Sequence, residues 1–240
     1  MRKNTIFIPI PRRPKALDRH WRVQSVQIVR VFDRIRREME DRYDDGSYGE
    51  FCWFAREYPR IFRHHVDHAA YRLMTIRRRY ARAFKELKAA VERANASGHD
   101  LFETSFDNRL SWAIYWDSEA YLAAVNCSLN ALARVVGTAY EEQTPLSFNG
   151  LCKKGHLAGI VDLLRSAQMD WVGLLKDYRD CFTHYTPVDA VLVVTMRLYA
   201  NGWETRCCLP TNPNSREILD FRYARRRELL RYALFLFGRS

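Results

Sequence analysis

Residues 66–94 carry the pattern that most constrains this chain. Val66, Leu73, Tyr80, Leu87 and Ala94 recur every seven residues, and Ala70, Arg77, Phe84 and Val91 fill the alternate places. A repeat of that period holds one stripe of a helix against a partner. The pattern predicts one long helix over about 60–95, with a seam that can pair two helices. "NASGHD" then supplies turn chemistry that stops it. The charge run "RRRY" at 77–80 falls on this helix and reads as a solvated face.

Helical periodicity accounts for most of the remaining chain. A first helix is expected from Asp18, a suitable N-cap, with Trp21, Ile28, Phe32, Ile35 and Met39 stepping by three and four. Asp44, Asp45 and Gly46 end it. A third helix is expected over about 111–140, rich in Ala, Leu and aromatics and so more deeply buried. "EEQTPLSFNGLCKKGHLAG" reads as a long connection. A fourth helix runs from about Gly159 with Ile160, Leu163, Leu164, Ala167, Trp171, Leu174, Leu175 and Tyr178 as its apolar stripe. After Pro187 the period changes to two. Leu192, Val194, Met196 and Leu198 alternate, Asn201-Gly202 supplies a hairpin turn, and a basic, mainly helical segment closes the chain over about 215–237. The expected fold is mainly α with one C-terminal β-hairpin and a final helix.

Composition narrows the class. Of 240 residues 48% are apolar and 13% aromatic, which excludes a disordered chain, and ten Gly with eight Pro disfavour an all-β fold. The net charge of +11 raises the prior for a polyanionic partner, nucleic acid first and an acidic protein or membrane surface second. Cysteines stand at 52, 127, 152, 181, 207 and 208 without a C-x-x-C pair, which reads as free thiols in a reducing cytosol. Cys207 and Cys208 are expected on opposite faces of a strand. The apolar runs in "MRKNTIFIPIPRRP" and "LLRYALFLFG" are too short for a signal segment or a membrane span, so a cytoplasmic protein with no membrane partner is expected.

The chemistry concentrates in "LLKDYRDCFTHYTP", residues 174–187. Arg179 and His184 are five apart, about 140° around an ideal α-helix, so an undistorted helix does not aim both at one point. Asp180 and His184 are four apart and share a face, so Asp180 is placed to fix the imidazole tautomer. Pro187 disfavours helical geometry at Thr186 and puts His184 in the last turn. Two plainer readings stand beside this. His184 can serve only as a group at a helix C-terminus, and Arg179 can simply pair with Asp177 or Asp180.

"RDCFTH" resembles the R-x4-6-H motif of the HEPN superfamily. The apolar helix before it, the proline after it, and the hairpin, "LPTNPNSR" and closing segment beyond resemble the branch typified by a clostridial domain of unknown role. The resemblance covers roughly residues 105–240, leaving 1–104 as a helical N-terminal region packed on that core. It implies a HEPN-like helical bundle that forms a homodimer in which two Arg–His motifs line one cleft. It also implies a metal-independent endoribonuclease, without a cofactor, of the kind found among toxins and phage-defence effectors. His184 would act as general base or acid, Arg179 would hold the phosphate, and Asp180 would orient His184. One departure stands out. The toxin branch encoded beside small nucleotidyltransferases often carries tyrosine two residues after the histidine, where this chain has Thr186, with Tyr185 one place early. A non-catalytic HEPN-like dimer that binds nucleotide, RNA or a protein is the alternative, and an acidic antitoxin-like partner is a third account of the charge.

Other clusters carry less. His64 and His68 stand at i, i+4 in "RHHVDHA", with His65 and Asp67 near, but no distant ligand is evident and a solvated or interfacial face is preferred to a metal site. "NGLCKKGH" lacks the phosphate-loop pattern. Lys153 and Lys154, with His156 near them, read first as an ordinary exposed loop; they and Lys176 just before the motif are candidate RNA contacts. Arg222, Arg225, Arg226 and Arg227 give the closing segment a basic face that serves RNA binding or solubility alike.

Overall fold

The computed structural model describes residues 48–99, 103–105, 109–139, 147–154, 158–185, 193–199 and 202–239, and seven helical positions between 26 and 37. The start of the expected first helix, and its Asp18 cap, lie outside the described residues. The chain is mostly helical. Helix α1 spans Tyr48–Ala96, α2 Arg109–Ala139, α3 Phe148–Lys154, α4 Ala158–Ala167, α5 Gly173–Asp180 and α6 Leu229–Arg239. Four strands, β1 Glu103–Ser105, β2 Val193–Tyr199, β3 Gly202–Pro210 and β4 Tyr223–Glu228, form one antiparallel sheet in chain order.

The described residues divide into two compact units, one drawn from 70–122 and 176–239, the other from the positions up to 69 and from 123–175. In the first, the heptad stripe of α1 meets the sheet rather than only a helix. Leu87 and Val91 are buried with Met196 of β2, and Phe84 and Trp203 close over them. The Tyr80 hydroxyl lies 2.7 Å from the Thr205 carbonyl and 2.9 Å from Glu228 Oε1, and accepts from the Cys207 N–H at 3.2 Å. The Glu228 carboxylate also accepts from the backbone N–H groups of Leu230 and Arg231, capping α6. Tyr121 of α2 donates to the Ala233 carbonyl of α6 at 2.7 Å.

In the second unit Tyr58, Phe62 and Val66 of α1 pack on Ala131 and Val135 of α2. Ser147 caps α3 by accepting from the Gly150 N–H, so part of the expected long connection is a helix carrying Lys153 and Lys154. The fourth helix is interrupted by a π segment at Gln168–Val172. There the Gly173 N–H donates to the Gln168 carbonyl, the i→i+5 bond of a wide turn, and a Cβ on Gly173 would sit 2.9 Å from that oxygen.

Three expectations change. The closing segment is not mainly helical: β4 occupies 223–228, so Arg225, Arg226 and Arg227 lie on a strand and not on the expected helix. Arg222 is held before that strand by Asn212, whose Oδ1 accepts its N–H at 2.8 Å. In the hairpin, Gly202 pairs with Tyr199 instead of sitting inside the turn, at φ 114°, a value that favours glycine. Nor is "RRRY" a solvated face. Arg77 is buried, Arg79 binds the buried Asp117 and Tyr80 anchors the sheet. Consecutive residues lie ~100° apart on a helix, so a run of four spans both faces.

Candidate active site

The motif is built on a buried face and a wide turn. Tyr178, Cys181 and Phe182 are buried, and the Tyr178 hydroxyl donates to the Pro210 carbonyl at 2.6 Å. The opposite side of the helix therefore presents Arg179 and Asp180, both half-buried, then Thr183 and His184, both exposed. Asp180 Oδ1 accepts from Arg179 Nε at 2.9 Å and from Arg179 Nη2. Of the two carboxylates weighed for Arg179, Asp180 is thus one that it uses.

After Asp180 the helix opens into a second π segment, Cys181–Tyr185. An i→i+5 turn brings residues five apart closer to register, which eases the 140° offset of Arg179 and His184 on an α-helix. Its end is legible in covalent terms. In an i→i+5 register the donor due to the Phe182 carbonyl is residue 187, and proline has no N–H. Tyr115 of α2 supplies the missing donor: its hydroxyl reaches the Phe182 carbonyl at 2.5 Å, and its ring stacks on Phe182 at 4.8 Å. Burial, then the charges of Glu119 and Cys181, push the Tyr115 phenol up to about 12. It therefore remains a donor through the neutral range.

Other candidates fall elsewhere. Lys176 is half-buried one turn before Asp180, in the same unit as the motif. Lys153 is exposed on α3 in the second unit, and Lys154 ends that helix. His64, His65 and His68 cluster in the second unit, with His64 ring centroids 5.5 Å from His65 and 6.4 Å from His68. Burial first, then the charges of His64 and His68, lower the pKa of His65. Among the described residues no group of three His, Cys, Asp or Glu side chains is arranged to hold a metal. Cys207 is buried and Cys208 half-buried, in keeping with opposite strand faces.

Two features escape a reading by motif. Tyr115 carries no signal of its own, although Pro187 at five residues from Phe182 hints that a donor is needed. The Asp117 carboxylate is buried and bridges Arg72, at 2.9 Å, and Arg79, at 2.5 Å. That bridge ties α1 to α2 across 45 residues of sequence.

Comparison with known proteins yields no matching family model, curated protein or solved structure. Among the described residues no helix is long and apolar enough to cross a membrane.

Proposed function

We propose that this chain is a metal-independent endoribonuclease of the HEPN type, acting as a homodimer in the cytoplasm, of the kind that serves as a toxin or phage-defence effector. One observation carries the reading: His184 is exposed on a π turn that follows the Arg179–Asp180 pair. π turns recur at functional sites because they re-aim side chains at the cost of regular bonding. The net charge of +11 suits an RNA substrate.

The chemistry is an internal displacement. His184 accepts the proton of an RNA 2′-hydroxyl, whose oxygen forms a bond to the neighbouring phosphorus. The bond from phosphorus to the 5′ oxygen of the next nucleotide breaks, and that oxygen takes a proton from an imidazolium. The products are a 2′,3′-cyclic phosphate and a 5′-hydroxyl. Arg179 stabilises the charge on the phosphate oxygens. A guanidinium has five N–H donors, and the Asp180 pair uses one from each of two nitrogens.

The test is cleavage of mixed RNAs in EDTA by wild type, His184→Ala and Arg179→Ala, each checked for native folding. Cyclic-phosphate ends from wild type, with both variants inactive, support the reading. Equal behaviour of all three, without cutting above background, overturns it. The Arg179–Asp180 pair also favours a second reading, a non-catalytic dimer that binds nucleotide, RNA or protein and in which Arg179 is an element of structure. Binding without cleavage in the same assay is its signature.

A further inference from the structure

Helix α2 presents a stripe that the motif does not use. Arg109, Trp112 and Trp116 are all exposed, while Leu110, Ala113, Ile114, Tyr115, Asp117 and Ser118 around them are buried. The tryptophans are thus displayed from a well-packed helix, not from a loose end. Trp112 is 42% and Trp116 54% exposed, and their rings stand edge to face with centroids 6.1 Å apart. Tyr71 of α1 is 62% exposed, and the Arg72 guanidinium lies 5.7 Å over its ring. Arg72 in turn reaches Asp117, the residue after Trp116, at 2.9 Å.

We infer that this stripe, with Tyr71 and Arg72 joined to it through Asp117, is a stacking platform for the bases of single-stranded RNA. Three exposed aromatic rings offer faces that any base can cover. Arg72, Arg79 and Arg109 outnumber the acids Asp117 and Glu119 there, so the fringe is cationic and suits a phosphate backbone. A second protein surface would be served by the apolar rings but not by that charge. The platform is also tied to the motif. Tyr115, between the two tryptophans in sequence, is the residue that holds Phe182 in the π turn. Trp116 therefore directly follows the residue whose hydroxyl holds the Phe182 carbonyl. Duplex RNA is excluded as the preferred ligand, because its bases are already stacked on each other. The choice of RNA over DNA rests on the proposed nuclease reading, whereas the stacking does not.

The experiment uses the full chain carrying His184→Ala, so that no RNA is cut. Fluorescence anisotropy of a labelled single-stranded RNA of mixed sequence is compared with the same RNA annealed to its complement. Trp112→Ala and Trp116→Ala each weaken single-strand binding about fivefold or more, since a stacked base contributes at least ~1 kcal/mol. Trp→Phe at either position restores most of it, and duplex binding changes little. Unchanged single-strand affinity in both alanine variants overturns the platform. So does a sedimentation result in which the alanine variants fall from dimer to monomer and lose duplex and single-strand binding together, which assigns the face to a protein contact. If wild type binds through the tryptophans yet never cleaves RNA, the platform stands and the nuclease reading falls.

Discussion

Replacing Tyr115 with Phe deletes a single oxygen atom and asks what holds the motif in shape. The ring survives, so its stacking on Phe182 at 4.8 Å is kept. What disappears is the 2.5 Å hydrogen bond to the Phe182 carbonyl, with both residues buried. A buried carbonyl left without a donor costs ~1–3 kcal/mol. At ~2–4 °C per kcal/mol for a chain of this size, the melting temperature falls by about 2–12 °C. The freed carbonyl also has an incentive to seek the N–H of residue 186 in an ordinary α turn, which swings His184 away from Arg179. Cleavage should then drop by about a hundredfold, the loss typical of a misplaced catalytic group. Urea unfolding followed by circular dichroism, with cleavage measured well below the melting temperature, separates the two effects. The phenol has its own signature. Its pKa is pushed up to about 12 in the folded chain, against about 10 for an unfolded tyrosine. The stability linked to that proton is intact below pH 10 and is lost as pH rises from about 10 to about 12, and the Phe variant lacks that loss. A Phe variant within about 0.5 kcal/mol of wild type, or one that is destabilised yet cleaves RNA normally, refutes the argument that Tyr115 sustains the π turn.

Four further outcomes follow from the geometry. Asp117→Ala strips the shared counter-ion from Arg72 and Arg79 and should cost ~2 kcal/mol in chemical denaturation, since hydrogen bonds to charged groups are worth ~1.5–3 kcal/mol and the arginines are part-exposed. Gly173→Ala should destabilise the chain although alanine is the better helix former, because its Cβ would lie 2.9 Å from the Gln168 carbonyl oxygen; a raised melting temperature contradicts this. His65 has a lowered pKa, so the unfolded chain binds a proton first as pH falls below about 6.5 and stability drops there. His65→Gln should make the melting temperature less sensitive to pH between 7.5 and 5.5, the range spanning that ordinary value. Tyr80→Phe should loosen β3 and β4 from α1 by ~1–3 kcal/mol, visible as faster amide exchange at Cys207, whose N–H bonds the Tyr80 hydroxyl.

Local pattern alone was enough for much of the molecule. The period of 66–94 required a long helix, and α1 carries it, because apolar residues at that spacing have no other way to leave water together. The change to period two after Pro187, with glycine at 202, was enough for the β2–β3 hairpin. Arg179, Asp180 and His184 stood out because their spacing and the following proline are properties of the chain itself, and the structure pairs the first two. Distance along the sequence hid the rest. Strand β4 was unreadable in a run of arginines, since its register comes from pairing Cys208 with Glu228 and Pro210 with Tyr223 in β3. Asp117 gained its meaning from two arginines 45 and 38 residues away, and only tertiary packing makes that carboxylate a buried bridge. The π turn combined both sources. Pro187 withheld a donor by covalent structure, but only the packing of α2 could bring the Tyr115 hydroxyl to replace it.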